Sequence, residues 1–221
     1  MIEYKKQILF LGDSITRHYY EYVKNKLEVY GINANIPYKW TSQHNKQMRF
    51  INRNLQNRKH NGPRLKVDIV HFNFGLHSIK LPHKGHDPNF KRALPEWFDN
   101  YENQLITQIN RLRELGICNI LFSNTTPNPK NAGMRNNEDV KILNEVASKV
   151  MDDKNIPYND LYSHVRGVKD YPKLYKHPRR ENNCHFNADG NKHLSNKIVD
   201  FVLENINCLL YTSPSPRDAI P

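Results

Sequence analysis

Short runs of contiguous apolar residues alternate along this chain with longer stretches in which apolar positions recur every three or four residues. Runs of the first kind, Gln7–Leu11, Asn33–Pro37, Val67–Asn73, Asn119–Ser123 and Ile156–Tyr158, predict buried strands, because a strand covered on both faces has no solvent side to leave polar. The helical spacing predicts Arg17–Tyr30, with Tyr20, Val23 and Leu27 on one side, and a basic helix Lys46–Arg58 with Met48, Ile51 and Leu55. It also predicts Glu96–Leu115, with an inward stripe of Trp97, Tyr101, Leu105, Ile109 and Leu112 closed by Gly116, and Asn136–Lys154 with Val140, Leu143, Ala147 and Val150. A final helix opens near Ala188. Between these lie a long loop, Leu76–Pro95, and an irregular one, Gly167–Asn183. Strand alternating with helix over this length implies a parallel sheet with helices on both faces and right-handed crossovers.

The 221 residues suit one α/β domain, expected over residues 1–207. After Asn207 the composition changes abruptly, and prolines 214 and 216 stop any helix. The stretch Cys208–Asp218 resembles a translated sequencing adapter, so 208–221 is expected to be a non-native or disordered tail. There is no apolar run of about 18 residues to span a membrane. Met1–Gln7 carries charge and no apolar signal segment, which points to a cytoplasmic location. The three cysteines, Cys118, Cys184 and Cys208, form no disulfide or metal framework. A net charge of +11 raises the question of a nucleic-acid partner, but the basic residues are scattered. A solvated basic surface, tolerant of acidic glycans, is expected, with no specific nucleic-acid partner. No Gly-x-Gly-x-x-Gly or phosphate-loop pattern calls for a nucleotide cofactor. His83, His86 and Asp87 lack a fourth ligand at metal spacing, so neither cofactor nor metal is expected.

Two stretches carry chemistry. Gly12-Asp13-Ser14 follows the first strand directly, setting a serine at the carboxyl end of a parallel strand and the start of a helix. Helix N-termini favour developing negative charge. Near the other end stands Asn182-Asn183-Cys184-His185. A serine hydroxyl is a weak nucleophile that needs a base within hydrogen-bond reach, and histidine, titrating near neutrality, suits the task. Cys184 reads as packing, since adjacent residues of an extended segment point apart.

Together these residues resemble the SGNH hydrolases, the GDSL-type esterase/lipase family, over about Gln7 to Leu203. The family's successive blocks fall at Gly12–Ser14, Gly75–Ser78 and Asn182–His185, and Thr125-Thr126-Pro127 also fits. The resemblance implies a three-layer α/β/α sandwich with a parallel five-stranded, flavodoxin-like sheet. It implies Ser14 as nucleophile, His185 as base, and an oxyanion site drawn from Gly75, His77 and Asn73. The departures are specific. His77 stands where the family has an oxyanion asparagine, as in a subgroup with an Asn-x-Gly-Leu-His pattern. The glycine of the second block is absent between Ile36 and Gln56, where Thr41–Asn45 should hold it. Asn182 replaces the aspartate that orients the histidine, and Glu181 and Asp160 are acids lying off that position.

The resulting expectation is a serine esterase acting on small acyl esters, deacetylating a carbohydrate through a Ser14–His185 dyad or a variant triad with Asn182. The alternatives are a catalytically impaired carbohydrate-binding or scaffolding module of the same fold, and a basic nucleic-acid-associated protein. Oligomeric state is left open.

Overall fold

A computed structural model describes residues 5–37, 44–56, 65–81, 92–129, 135–178 and 183–212, with side chains in the last helix described through Ile206. Five strands, β1 (Lys6–Gly12), β2 (Ile32–Asn35), β3 (Ile69–Asn73), β4 (Ile120–Ser123) and β5 (Tyr158–Asn159), form one parallel sheet in the order β2-β1-β3-β4-β5. That order is the doubly wound, flavodoxin-like one, with its topological switch between β1 and β3. The register sets Ile8 beside Ile69 and Gly12 beside Asn73, then Val70 beside Ile120 and Phe122 beside Tyr158.

The apolar runs explain the centre of the sheet. Ile8, Leu9, Phe10 and Leu11 are at most 1% exposed, as a strand with helices on both faces requires. Edge strand β2 alternates instead: Ile32 and Ala34 are buried, while Asn33 and Asn35 both donate to the Gln7 side-chain oxygen. The long helices are α1 (Ser14–Val29), α2 (His44–Asn54), α3 (Pro95–Glu114), α4 (Asn137–Asp153) and, after the short α5 (Leu161–Arg166), α6 (Ala188–Thr212). α1 packs against α6, and α3 against α4 and α2, giving the helical layers of an α/β/α sandwich. Tyr101, Leu105, Ile109 and Leu112 are fully buried, whereas Trp97 at the entry of α3 is only half-buried.

The differences from the expected boundaries have local causes. α1 begins three residues early, at Ser14, because the Asp13 side chain caps it by accepting from the Ile15 amide at 2.9 Å. α5 was not foreseen; Asp160 caps it through the Ser163 amide, and only six residues leave no apolar period to read. α6 runs to Thr212, five residues beyond the expected domain end at residue 207, since the first proline after Asn207 is Pro214. The rest of the expected tail, 213–221, lies outside the described residues. Among the described residues no helix is long and apolar enough to cross a membrane.

The entry to α6 decides where His185 sits. Tyr175 and Phe186 form an isolated antiparallel bridge, extended by hydrogen bonds from the Lys176 amide to the His185 carbonyl (2.9 Å) and from the Asn187 amide to the Leu174 carbonyl (2.8 Å). The Tyr175 and Phe186 rings stack with centroids 4.3 Å apart. Gly190 in the first turn of α6 lets these segments approach: a β-carbon there would strike the Leu174 carbonyl and lie 2.7 Å from Phe186 Cδ1. Because the obstruction includes backbone, Gly190→Ala is expected to cost about 1–3 kcal/mol and to lower Tm by several degrees, measured by thermal melting. An unchanged Tm would show that the bridge does not depend on this close approach.

Candidate active site

β1 ends at Gly12 against the end of β3. A β-carbon at Gly12 would overlap the Thr16 hydroxyl and come within 2.6 Å of the Asn73 carbonyl, so the turn admits only glycine. Asp13 then caps α1, and Ser14 becomes its first residue, with its amide at the open positive end of the helix. Ser14 Oγ lies 2.7 Å from His185 Nε2, across a sequence separation of 171 residues. Both side chains are half-buried and reach the carboxyl end of the sheet. A second Ser–His pair, Ser123 with His71 at 2.8 Å, is fully buried, its serine also accepting from Asn159, so no substrate can reach it.

The charges around the pair are mostly positive. The His185 pKa is lowered by burial of the ring and by the cations Lys176 and Arg135, which favours the neutral form that accepts a proton. His18, one helical turn beyond Ser14, sets its ring edge-on to His185 at a centroid distance of 4.7 Å and is itself pushed down to about 4 by burial and by His185. Asp13, 2% exposed, is pushed up to about 6 by burial, partly offset by its bond from Ile15 and by Arg135. The Cys184 thiol is buried and held above its ordinary pKa, so it is packing and not a nucleophile in waiting.

The third block divides into different tasks. Gly75 is buried where a β-carbon would come within 2.7 Å of Leu143 Cδ2, and its carbonyl closes a turn by accepting from the Ser78 amide. That turn presents His77, which is exposed as a residue. Lost hydration of its ring and the charges of Arg135, Lys80 and His185 keep the imidazole neutral. Asn73 does not fill the oxyanion role expected of it. Its amide donates to the Ser123 carbonyl at 2.9 Å and the Asn124 carbonyl at 2.7 Å, leaving neither proton for an oxyanion. Its other groups face α1, where the Thr16 hydroxyl donates to Asn73 O and Oδ1, and the Asp13 amide to Asn73 O.

Asn182 and Glu181 lie outside the described residues, as do His83, His86 and Asp87 of the long loop. Asp160 serves elsewhere, holding Asn124 Nδ2 at 2.7 Å and the α5 cap. Of the second-block stretch Thr41–Asn45, only His44 and Asn45 are described; they open α2, whose buried Gln47 donates to the Gly12 carbonyl at 2.9 Å. Among the described residues, no group of histidine, cysteine and acidic side chains could hold a metal ion. Sequence reasoning missed His18, which the i, i+4 spacing from Ser14 could have revealed. It also missed Arg135, 8% exposed and donating through Nε to the Leu76 carbonyl at 2.7 Å, which no local pattern marks.

The sequence profile of the GDSL-like lipase/acylhydrolase family matches residues 10–193. The chain belongs to that family. It is therefore a carboxylic ester hydrolase of the GDSL type. No curated protein matches it. Among solved structures it is similar to a lipase/acylhydrolase from Enterococcus faecalis, with 18% identity, 89% of this chain and 95% of that chain covered, and a TM-score of 0.63. It is also similar to Axe2, an acetylxylan esterase from Geobacillus stearothermophilus, with 16% identity, 91% and 95% coverage, and a TM-score of 0.63. At such identities the likeness is one of fold, and it agrees with the sandwich described above.

The Asn73 arrangement has a measurable consequence. Asn73→Ala strands two buried carbonyls and is expected to cost at least about 2 kcal/mol. Asn73→Asp, nearly the same size, turns the donating amide into a third acceptor facing them and should be the less stable variant in urea unfolding. Equal stability of the two variants would overturn the assignment of Asn73 as a donor to both carbonyls.

Proposed function

We propose that Ser14 is the nucleophile and His185 its general base in the hydrolysis of small acyl esters, the favoured substrate being an acetylated carbohydrate. The observation that carries the reading is the 2.7 Å contact between Ser14 Oγ and His185 Nε2 at the carboxyl end of the sheet. Ser14 Oγ attacks the ester carbonyl while its proton passes to His185 Nε2; the imidazolium then protonates the departing sugar oxygen. Water, deprotonated by the same ring, attacks the acyl-enzyme, and the carboxylic acid leaves as Ser14 is restored.

The oxyanion forms beside the Ser14 amide, where the first turn of α1 adds its dipole, and a neutral His77 ring can supply a second N–H. Asn182, standing at the family's aspartate position, is the group proposed to accept from His185 Nδ1 and fix the tautomer. It would do so without an anion's stabilisation of the imidazolium. The choice of an acetylated sugar is supported by the polar composition and by the likeness in fold to Axe2, itself an acetylxylan esterase.

Hydrolysis of p-nitrophenyl acetate tests the pair. Ser14→Ala and His185→Ala should each lower kcat by about 10³-fold or more, and the double variant should be little worse, as expected of residues acting together. Because the base must be neutral and its pKa is lowered, the acid limb of kcat/KM against pH should have its midpoint below the ordinary histidine value of 6.5. Wild-type rates in both single variants would overturn the assignment. A wild type inactive on every acetylated sugar and on p-nitrophenyl acetate would favour the binding-module alternative.

A further inference from the structure

Four cations from four separate segments lie around the histidines of the site, His185, His77 and His18. Arg17 lies three residues past Ser14 on α1, and Lys80 follows the turn that presents His77. Arg135 stands just before the Asn136 cap of α4 and reaches the Leu76 carbonyl, while Lys176 lies opposite His185 in the antiparallel bridge. Each is close enough to act on an imidazole of the site: Lys176 and Arg135 on His185, Arg135 and Lys80 on His77, Lys176 and Arg17 on His18. Among the described residues none of the four has a carboxylate within ion-pair distance. The acid facing them, Asp13, is buried, caps α1 through the Ile15 amide and feels the charge of Arg135 without forming an ion pair with it.

Elsewhere Arg111 pairs with Glu114, Lys141 with Glu138 and Arg92 with the buried Asp139. Unpaired like charges are costly to hold together, and a nearly buried guanidinium the more so. One Arg135 N–H is used by Leu76, and the planar fork offers further donors shaped for a carboxylate or phosphate.

We propose that the alcohol half of the ester is an anionic sugar, carrying a carboxylate or phosphate near the acylated hydroxyl, which Arg135 and Lys176 bind while Lys80 and Arg17 steer its approach. This rests on the reading of Ser14 and His185 as the hydrolytic pair. The charged rim raises the encounter rate and fixes which acylated hydroxyl lies over Ser14, and its contribution must fade as salt screens the exposed lysines.

The test compares kcat/KM for three acetyl esters at low and high ionic strength: an acetylated xylooligosaccharide, an acetylated oligogalacturonide and an acetylated sugar phosphate. At low salt at least one anionic ester should exceed the neutral one by about ten-fold, and that advantage should shrink toward one near ~1 M salt. Which anionic ester leads distinguishes carboxylate from phosphate. Lys176→Gln, at an exposed position, should lower the anionic-to-neutral ratio about three-fold, and Arg135→Met more, with Arg135→Lys restoring part of it. If Arg135→Met fails to fold, the Lys176→Gln ratio and the salt dependence still decide. A neutral ester hydrolysed as well as both anionic ones at low salt overturns the proposal while leaving the esterase reading intact. So does an anionic preference indifferent to both salt and Lys176. No hydrolysis of any of these esters or of p-nitrophenyl acetate overturns both.

Discussion

The side chain of Asn73 joins the carboxyl ends of the three central strands, and the geometry of the site descends from that junction. It ends β3, donates to two carbonyls where β4 runs out, and through its own carbonyl and Oδ1 receives the Asp13 amide and the Thr16 hydroxyl from the β1–α1 turn. All these groups are within 2% of full burial, where a lost hydrogen bond is not replaced by water. The turn that carries Ser14 is thus held from the inside of the molecule, and Gly12 is the residue that permits so close an approach.

The electrostatics of the pair differ from those of a serine triad with a buried aspartate. There an acid stabilises the imidazolium; here Arg135 and Lys176 act against it. On the proposed reaction the same charges favour the developing oxyanion, so the site supports the negative half of the intermediate more than the positive half. Such an arrangement shifts the base toward its neutral, proton-accepting form.

Much of the fold was legible in the sequence because parallel strands buried on both faces read as unbroken apolar runs, and all five lay near their expected places. The pairing of Ser14 with His185 was legible too, through motifs at the two ends of the chain. What local pattern could not show were roles set by distant partners. Asp13 was read as part of a motif and turned out to set the start of α1. Asn73 was read as a donor to an oxyanion, but the strand beside it takes both its protons. Arg135 bore no mark in its own neighbourhood, since its meaning comes from Leu76, fifty-nine positions away. The short α5 escaped because six residues show no period.

Ser14 and His185 are carried by parts of very different mechanical standing. Ser14 follows β1, one of the inner strands of the sheet, whereas His185 is held by the isolated Tyr175–Phe186 bridge at the entry to α6. Sub-global opening of that bridge exposes far less surface than loss of the sheet and so requires less free energy. Loss of that bridge would part His185 from Ser14 while the sheet stayed whole, so the reach of the base depends on two stacked rings and not on the strands beneath it.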